Sequence, residues 1–155
     1  MADLNDIYSS RLLELAADIP HATPLAEPDV AASAHSKLCG STVAVELKIE
    51  GDRITEFGQT VKACLLGQAS AAIVGQEIID TNFDEFRSIA DQMRKMLKEN
   101  GAPPGGRWSD LGLLEPVRPY KARHASTLLV FDAVERAIDA YLTGDKEAGE
   151  QATVA

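Results

Sequence analysis

Between residues 42 and 49 the large apolar residues fall at every second position: Val43, Val45, Leu47 and Ile49 alternate with Thr42, Ala44, Glu46 and Lys48. A period of two with one apolar face predicts a half-buried strand. The stretch EGDR reads as a turn and RITEFGQTV as the returning strand, so the pair predicts an antiparallel hairpin over 41–61. Elsewhere the spacing is helical. Ile7, Leu12, Leu15, Ala16 and Ile19 fall on one stripe and predict an amphipathic helix over 3–18. CLLGQASAAIVGQEI predicts a thin helix of small residues that can approach the sheet closely. Its Gly67 and Gly75 cost about 1 kcal/mol each relative to Ala, which close packing would offset. Phe83, Phe86, Ile89, Met93 and Leu97 mark the face of a further helix. Its start offers a capping box from Thr81 with Asp84 or Asn82 with Glu85, and Asn100–Gly101 ends it. ASTLLVFDAVERAIDAYL predicts a last helix, closed by Thr143–Gly144.

Between these periodic segments the pattern breaks. Residues 20–36 carry Pro20, Pro24 and Pro28 and read as an irregular connection. APPGGRW interrupts the chain, with Trp108 as the packing anchor of that loop, and SDLGLLEPVRPY has room for one short helical turn. Helix, hairpin, then several helices is an α+β order: a small antiparallel sheet, the hairpin with or without a third strand, packed by helices. Residues 1–145 read as a single domain and the small, polar residues 146–155 as a flexible tail. There are no internal repeats.

Composition narrows the function classes. The 155 residues suffice for one core, at 45% hydrophobic and 25% charged. A net charge of −9 repels a phosphate backbone and argues against nucleic acid as a partner. The apolar runs, such as TLLVF, are too short to cross a bilayer. MADLNDIYSS has no basic cluster, so it is not read as a leader, and two cysteines without one point to the reducing cytoplasm.

Those two cysteines carry the candidate chemistry. Cys39 precedes the first strand of the hairpin and Cys64 follows the second, which makes them near neighbours at the hairpin's open end. Cys64 also stands at a helix N-terminus, where free N–H groups and the helix dipole favour a thiolate, with Lys62 close in sequence. His124 opens the last helix and can reach the same end of the sheet. Thiolate sulfur and imidazole nitrogen suit zinc, and both ligate iron. No C-x-x-C accompanies them, and buried cysteines also serve as small hydrophobes. His35, four residues before Cys39, is the one substitute ligand nearby. Arg118, Lys121 and Arg123 form a local basic run that reads as a solvated loop, with Arg123 also placed to support a thiolate or a partner contact.

LCGST before the hairpin, ITEFGQTVKACLLGQASAA from its second strand into the following helix and KARHASTLLVFDAVERAI at the last helix resemble, in this order, the U-type iron–sulfur cluster scaffold proteins, the IscU, SufU and NifU N-terminal group. The resemblance spans roughly residues 3–142, and the connection through GAPPGGRW resembles the SufU branch. It implies a NifU N-terminal, SufE-like fold and assigns Cys39 and Cys64 to the first two cluster cysteines and His124 to the family histidine. It further implies a [2Fe–2S] cluster as cargo, a cysteine desulfurase as sulfur source and apo-proteins as acceptors. Ser41 stands where the family usually has an aspartate, and Ala125 where it has the third cysteine. Alanine ligates nothing, and a serine hydroxyl stays protonated at neutral pH. What the resemblance leaves is a Cys₂His set with an open fourth position, able to hold zinc, ferrous iron or a cluster completed from outside.

Three readings follow. One is a non-enzymatic scaffold that binds a metal or cluster at Cys39, Cys64 and His124. A second is an interaction module that keeps the fold without the metal. A third is a zinc or thiol enzyme built on Cys64 and His124, for which no orienting third group or oxyanion-hole motif is present; Glu77 and Asp110 have no spacing that ties them to the site.

Overall fold

The structure, a computed structural model, describes residues 9–37, 40–144 and 152–154. The predicted hairpin is its centre: β2 (Thr42–Glu50) and β3 (Arg53–Lys62) pair antiparallel from Thr42 opposite Lys62 to Glu50 opposite Arg53, with an irregularity at Lys48/Ile49. Val43, Val45, Leu47 and Ile49 are buried, as their alternation requires, and Val45, Leu47 and Val43 face Gln59, Phe57 and Val61.

The sheet is larger than the hairpin. β1 (Val30–Ser36) runs antiparallel to β2, where an irregular connection was expected. Its sequence, VAASAHS, has Val30 as its one β-branched residue and otherwise mostly Ala and Ser, which carry little strand preference, and Pro28 precedes it. Pairing with β2 and burial of Val30, Ala32, Ala34 and Ser36 on one face set its conformation instead. β4 (Thr81–Asn82) adds two residues beside Arg53 and Ile54, and β5 (Ala152–Val154), within the segment read as a tail, lies parallel to Ala34–Ser36. The order across the sheet is β4-β3-β2-β1-β5.

Among the described residues, four α-helices pack with the sheet. α4 (His124–Thr143) crosses β1 and β2, and α2 (Leu65–Glu77) packs on β3 and α4. α1 (Ser10–Ala17) lies on α2, and α3 (Phe83–Lys98) on α4. α1 begins at its cap Ser9 and buries Leu12, Leu15 and Ala16; the first part of the predicted 3–18 helix lies outside the described residues. α3 buries all five residues of its predicted face, and Asn82 Oδ1 accepts the Glu85 N–H at 2.8 Å. The reciprocal half of the capping box is missing, because the Glu85 carboxylate accepts from Arg107 and Trp108. Arg94 of α3 ties Asp132 and Glu135 of α4. Gly144, at φ +83°, closes α4 as expected.

Residues 106–117 depart most from expectation. Gly106–Val117 forms a 12-residue 3₁₀ helix rather than a single turn. Trp108, Leu111, Leu114 and Val117 are all buried. A spacing of three places them on one side of a helix with three residues per turn. Phe86 sits between Trp108 and Phe131, which joins this segment to the core. Among the described residues no helix is long and apolar enough to cross a membrane.

Candidate functional site

The hairpin register brings the loop before β2 and the start of α2 to the same end of the sheet, since Thr42 pairs with Lys62. Cys39 lies outside the described residues. Its neighbour Gly40 has φ +71°, which favours glycine, and its N–H donates to Ser36 O at 2.9 Å. Ser41 is buried.

Cys64 is the N-cap residue of α2, in an extended conformation with no side-chain cap hydrogen bond. It is a free, half-buried cysteine packed against the core. The Cys64 sulfur thus lies by the uncapped N–H groups and positive end of the α2 dipole. Cys64 Sγ is 3.2 Å from Ser126 Oγ, so the first turn of α4 meets the first turn of α2 here. Gly67 permits that approach: a Cβ at this position would lie 3.1 Å from Ser126 O and 2.8 Å from Ala63 Cβ.

His124 is the first residue of α4 and only 7% exposed. Its Nε2 is 2.9 Å from Arg118 O. A carbonyl only accepts, so Nε2 carries a proton, and in the neutral ring it is Nδ1 that has the lone pair. His124 also lines a hollow of about 460 Å³ with Leu97, Lys98, Asn100, Arg118 and Lys121. Arg118 is no solvated loop residue. Its guanidinium donates to Met96 O at 2.6 Å and to Gly101 O, and pairs with Glu115, tying the end of α3 to the approach to α4. The carbonyl that orients His124 is therefore itself held in place. Ala125 is buried in the first turn of α4. His35 lies on β1, its Nδ1 3.2 Å from Thr42 Oγ1, on the opposite face of the sheet from Ala34 and Ser36.

Among the described residues, no three His, Cys, Asp or Glu side chains gather closely enough to hold a metal ion. The described contacts of Cys64 and His124 run to Ser126 and Arg118 respectively. Nothing in the sequence marks Ser126; its position two residues into a helix is ordinary, and only the crossing of α2 and α4 gives it the sulfur as a neighbour.

A small, mostly antiparallel sheet backed by helices, with a cysteine at the N-cap position of one helix and a histidine opening another, defines the class: an α+β protein. No protein-family model matches the chain. It is 51% identical to the N-terminal part of a nitrogen-fixing NifU-like protein from Brucella abortus; the two structures agree with a TM-score of 0.89, over 90% of this chain and 97% of that one. By that likeness the chain belongs to the U-type iron–sulfur scaffold family. A SufU from Fervidobacterium islandicum AW-1, described as an iron–sulfur cluster assembly scaffold protein for the SUF system, shares the fold. Its TM-score is 0.80 at 18% identity, covering 88% of this chain and 99% of that one. The iron–sulfur cluster assembly scaffold protein IscU of Thermotoga maritima is 22% identical over 132 residues, 85% of this chain and 92% of its own.

Proposed function

We propose that this protein is an iron–sulfur cluster assembly scaffold, a carrier and not an enzyme. It would bind iron, zinc or a [2Fe–2S] cluster through Cys39, Cys64 and His124. A cysteine desulfurase would supply its sulfur and apo-proteins would receive its cargo. The observation that carries the reading is the 51% identity to the NifU-like N-terminal chain, read with a half-buried free thiol at the cap of α2. The His124 hydrogen bond adds support. Histidine ligands commonly donate their distal N–H to a carbonyl, which fixes ring and tautomer; here Nε2–H on Arg118 O leaves Nδ1 as the ligating atom. Cys₂His leaves one position open, which suits cargo that must be handed on.

The test is elemental analysis of protein purified without oxygen, repeated on Cys39→Ala, Cys64→Ala and His124→Ala. About one metal per chain is expected for the wild type, and loss of it in each variant. Iron with acid-labile sulfide would favour the cluster. A metal-free wild type that also fails to bind iron and sulfide would overturn the reading. It would leave the second one, an interaction module, which the alanine at position 125 and the serine at position 41 favour.

A further inference from the structure

We infer that Ser126 is a positioning residue of the site, one that holds the Cys64 sulfur by a hydrogen bond and tempers its bond to metal. This rests on the reading of Cys64 as a ligand. The two side-chain atoms are 3.2 Å apart, and either could donate while Cys64 keeps its proton. A metal-bound cysteine sulfur has no proton. Once Cys64 ligates, the only proton in the pair is on the Ser126 hydroxyl, and the serine must be the donor.

The surroundings leave that proton available. The other described acceptor of Ser126 is Arg123 O, at 3.3 Å, and this carbonyl already accepts from Thr127 Oγ1 at 2.8 Å. Ser126 can therefore turn to the sulfur without leaving the carbonyl unsatisfied. Ser126 is 2% exposed, so a solvent molecule does not readily replace its hydroxyl. Gly67 keeps the two helices close enough for the contact. A hydrogen bond to the sulfur draws electron density from the metal–sulfur bond and fixes the sulfur's direction. The chain thus has a sulfur partner one residue beyond the alanine that occupies the third-cysteine position.

Cobalt(II) reports on both effects, because its sulfur-to-metal charge-transfer band senses the energy of the sulfur lone pair. Wild type, Cys64→Ser and Ser126→Ala are titrated anaerobically with Co(II), each checked first for a wild-type circular dichroism spectrum. Ser126→Ala is expected to bind Co(II) about tenfold more weakly, the lower end of the range for supporting contacts around a metal, because losing the fixed direction of the sulfur outweighs the stronger metal–sulfur bond. Its charge-transfer band should move to longer wavelength, since a sulfur without its hydrogen bond gives up electron density more easily. If Cys64→Ser weakens the band to what the Cys39 sulfur alone supplies while Ser126→Ala keeps both affinity and band position, the role of Ser126 is overturned and Cys64 stands as a ligand. If wild type and Cys64→Ser titrate alike, the metal-site reading itself falls and the role of Ser126 falls with it.

Discussion

At the scale of single residues, the contact between α2 and α4 turns on a missing side chain. A Cβ at Gly67 would meet Ala63 Cβ at 2.8 Å and Ser126 O at 3.1 Å. Alanine would gain about 1 kcal/mol of helix propensity, but overpacking here costs about 1–3 kcal/mol. Gly67→Ala should therefore lower stability in urea unfolding; a variant more stable than wild type would show that the first turn of α4 yields. The glycines of this helix were legible in the sequence as a sign of close packing, and so were Cys64 and His124 as candidates. Ser126 was not, because its importance arises from two helices crossing sixty-two positions apart in the chain. The same holds for the Arg118 carbonyl, which matters only because of the ring it faces.

At the scale of elements, the 3₁₀ helix is docked by a polar clamp. Arg107 donates to Glu85, Glu77 O and Thr81, and Trp108 Nε1 donates to Glu85 Oε2 at 2.9 Å. Burial disfavours charge on Glu85, yet the hydrogen bonds from Trp108 and Arg107 and the charge of Arg107 outweigh it, so the carboxyl titrates below its ordinary range. A depressed value in the folded state means that the unfolded chain binds the proton more readily. The contribution to stability is then complete above the ordinary glutamate range and is lost as pH falls through the folded value. Fluorescence of Trp108, the single tryptophan, should show a step on that acid side which Glu85→Gln removes. An unchanged titration in the glutamine variant would count against the clamp. The elements that the sequence disclosed are those with regular apolar spacing: the hairpin at period two, and α3 with its five-residue face. β1 escaped because Ala and Ser carry little strand preference and pairing had to impose it. The 3₁₀ helix escaped because Trp108, Leu111, Leu114 and Val117 repeat every three residues, a period that fits neither strand nor α-helix.

At the scale of the molecule, one core runs from the inner face of the sheet through α2 and α4 to Trp108 of the 3₁₀ helix, with Phe57, Phe86 and Phe131 among its largest buried side chains. Cys64 only borders it. Small metal domains that fold on their ion lack such a core. Treatment with a chelator should therefore leave the far-ultraviolet circular dichroism of this protein unchanged, and collapse of the helical signal would show that the core needs the metal. Core and site also occupy different kinds of position: Cys64 is a helix cap and His124 a first helical residue, while the packing residues fill the element interiors. Selection can consequently act on the two almost independently. Residues at such element ends can be exchanged in a single step without first re-inventing a scaffold, because the side chains that hold the fold together lie elsewhere.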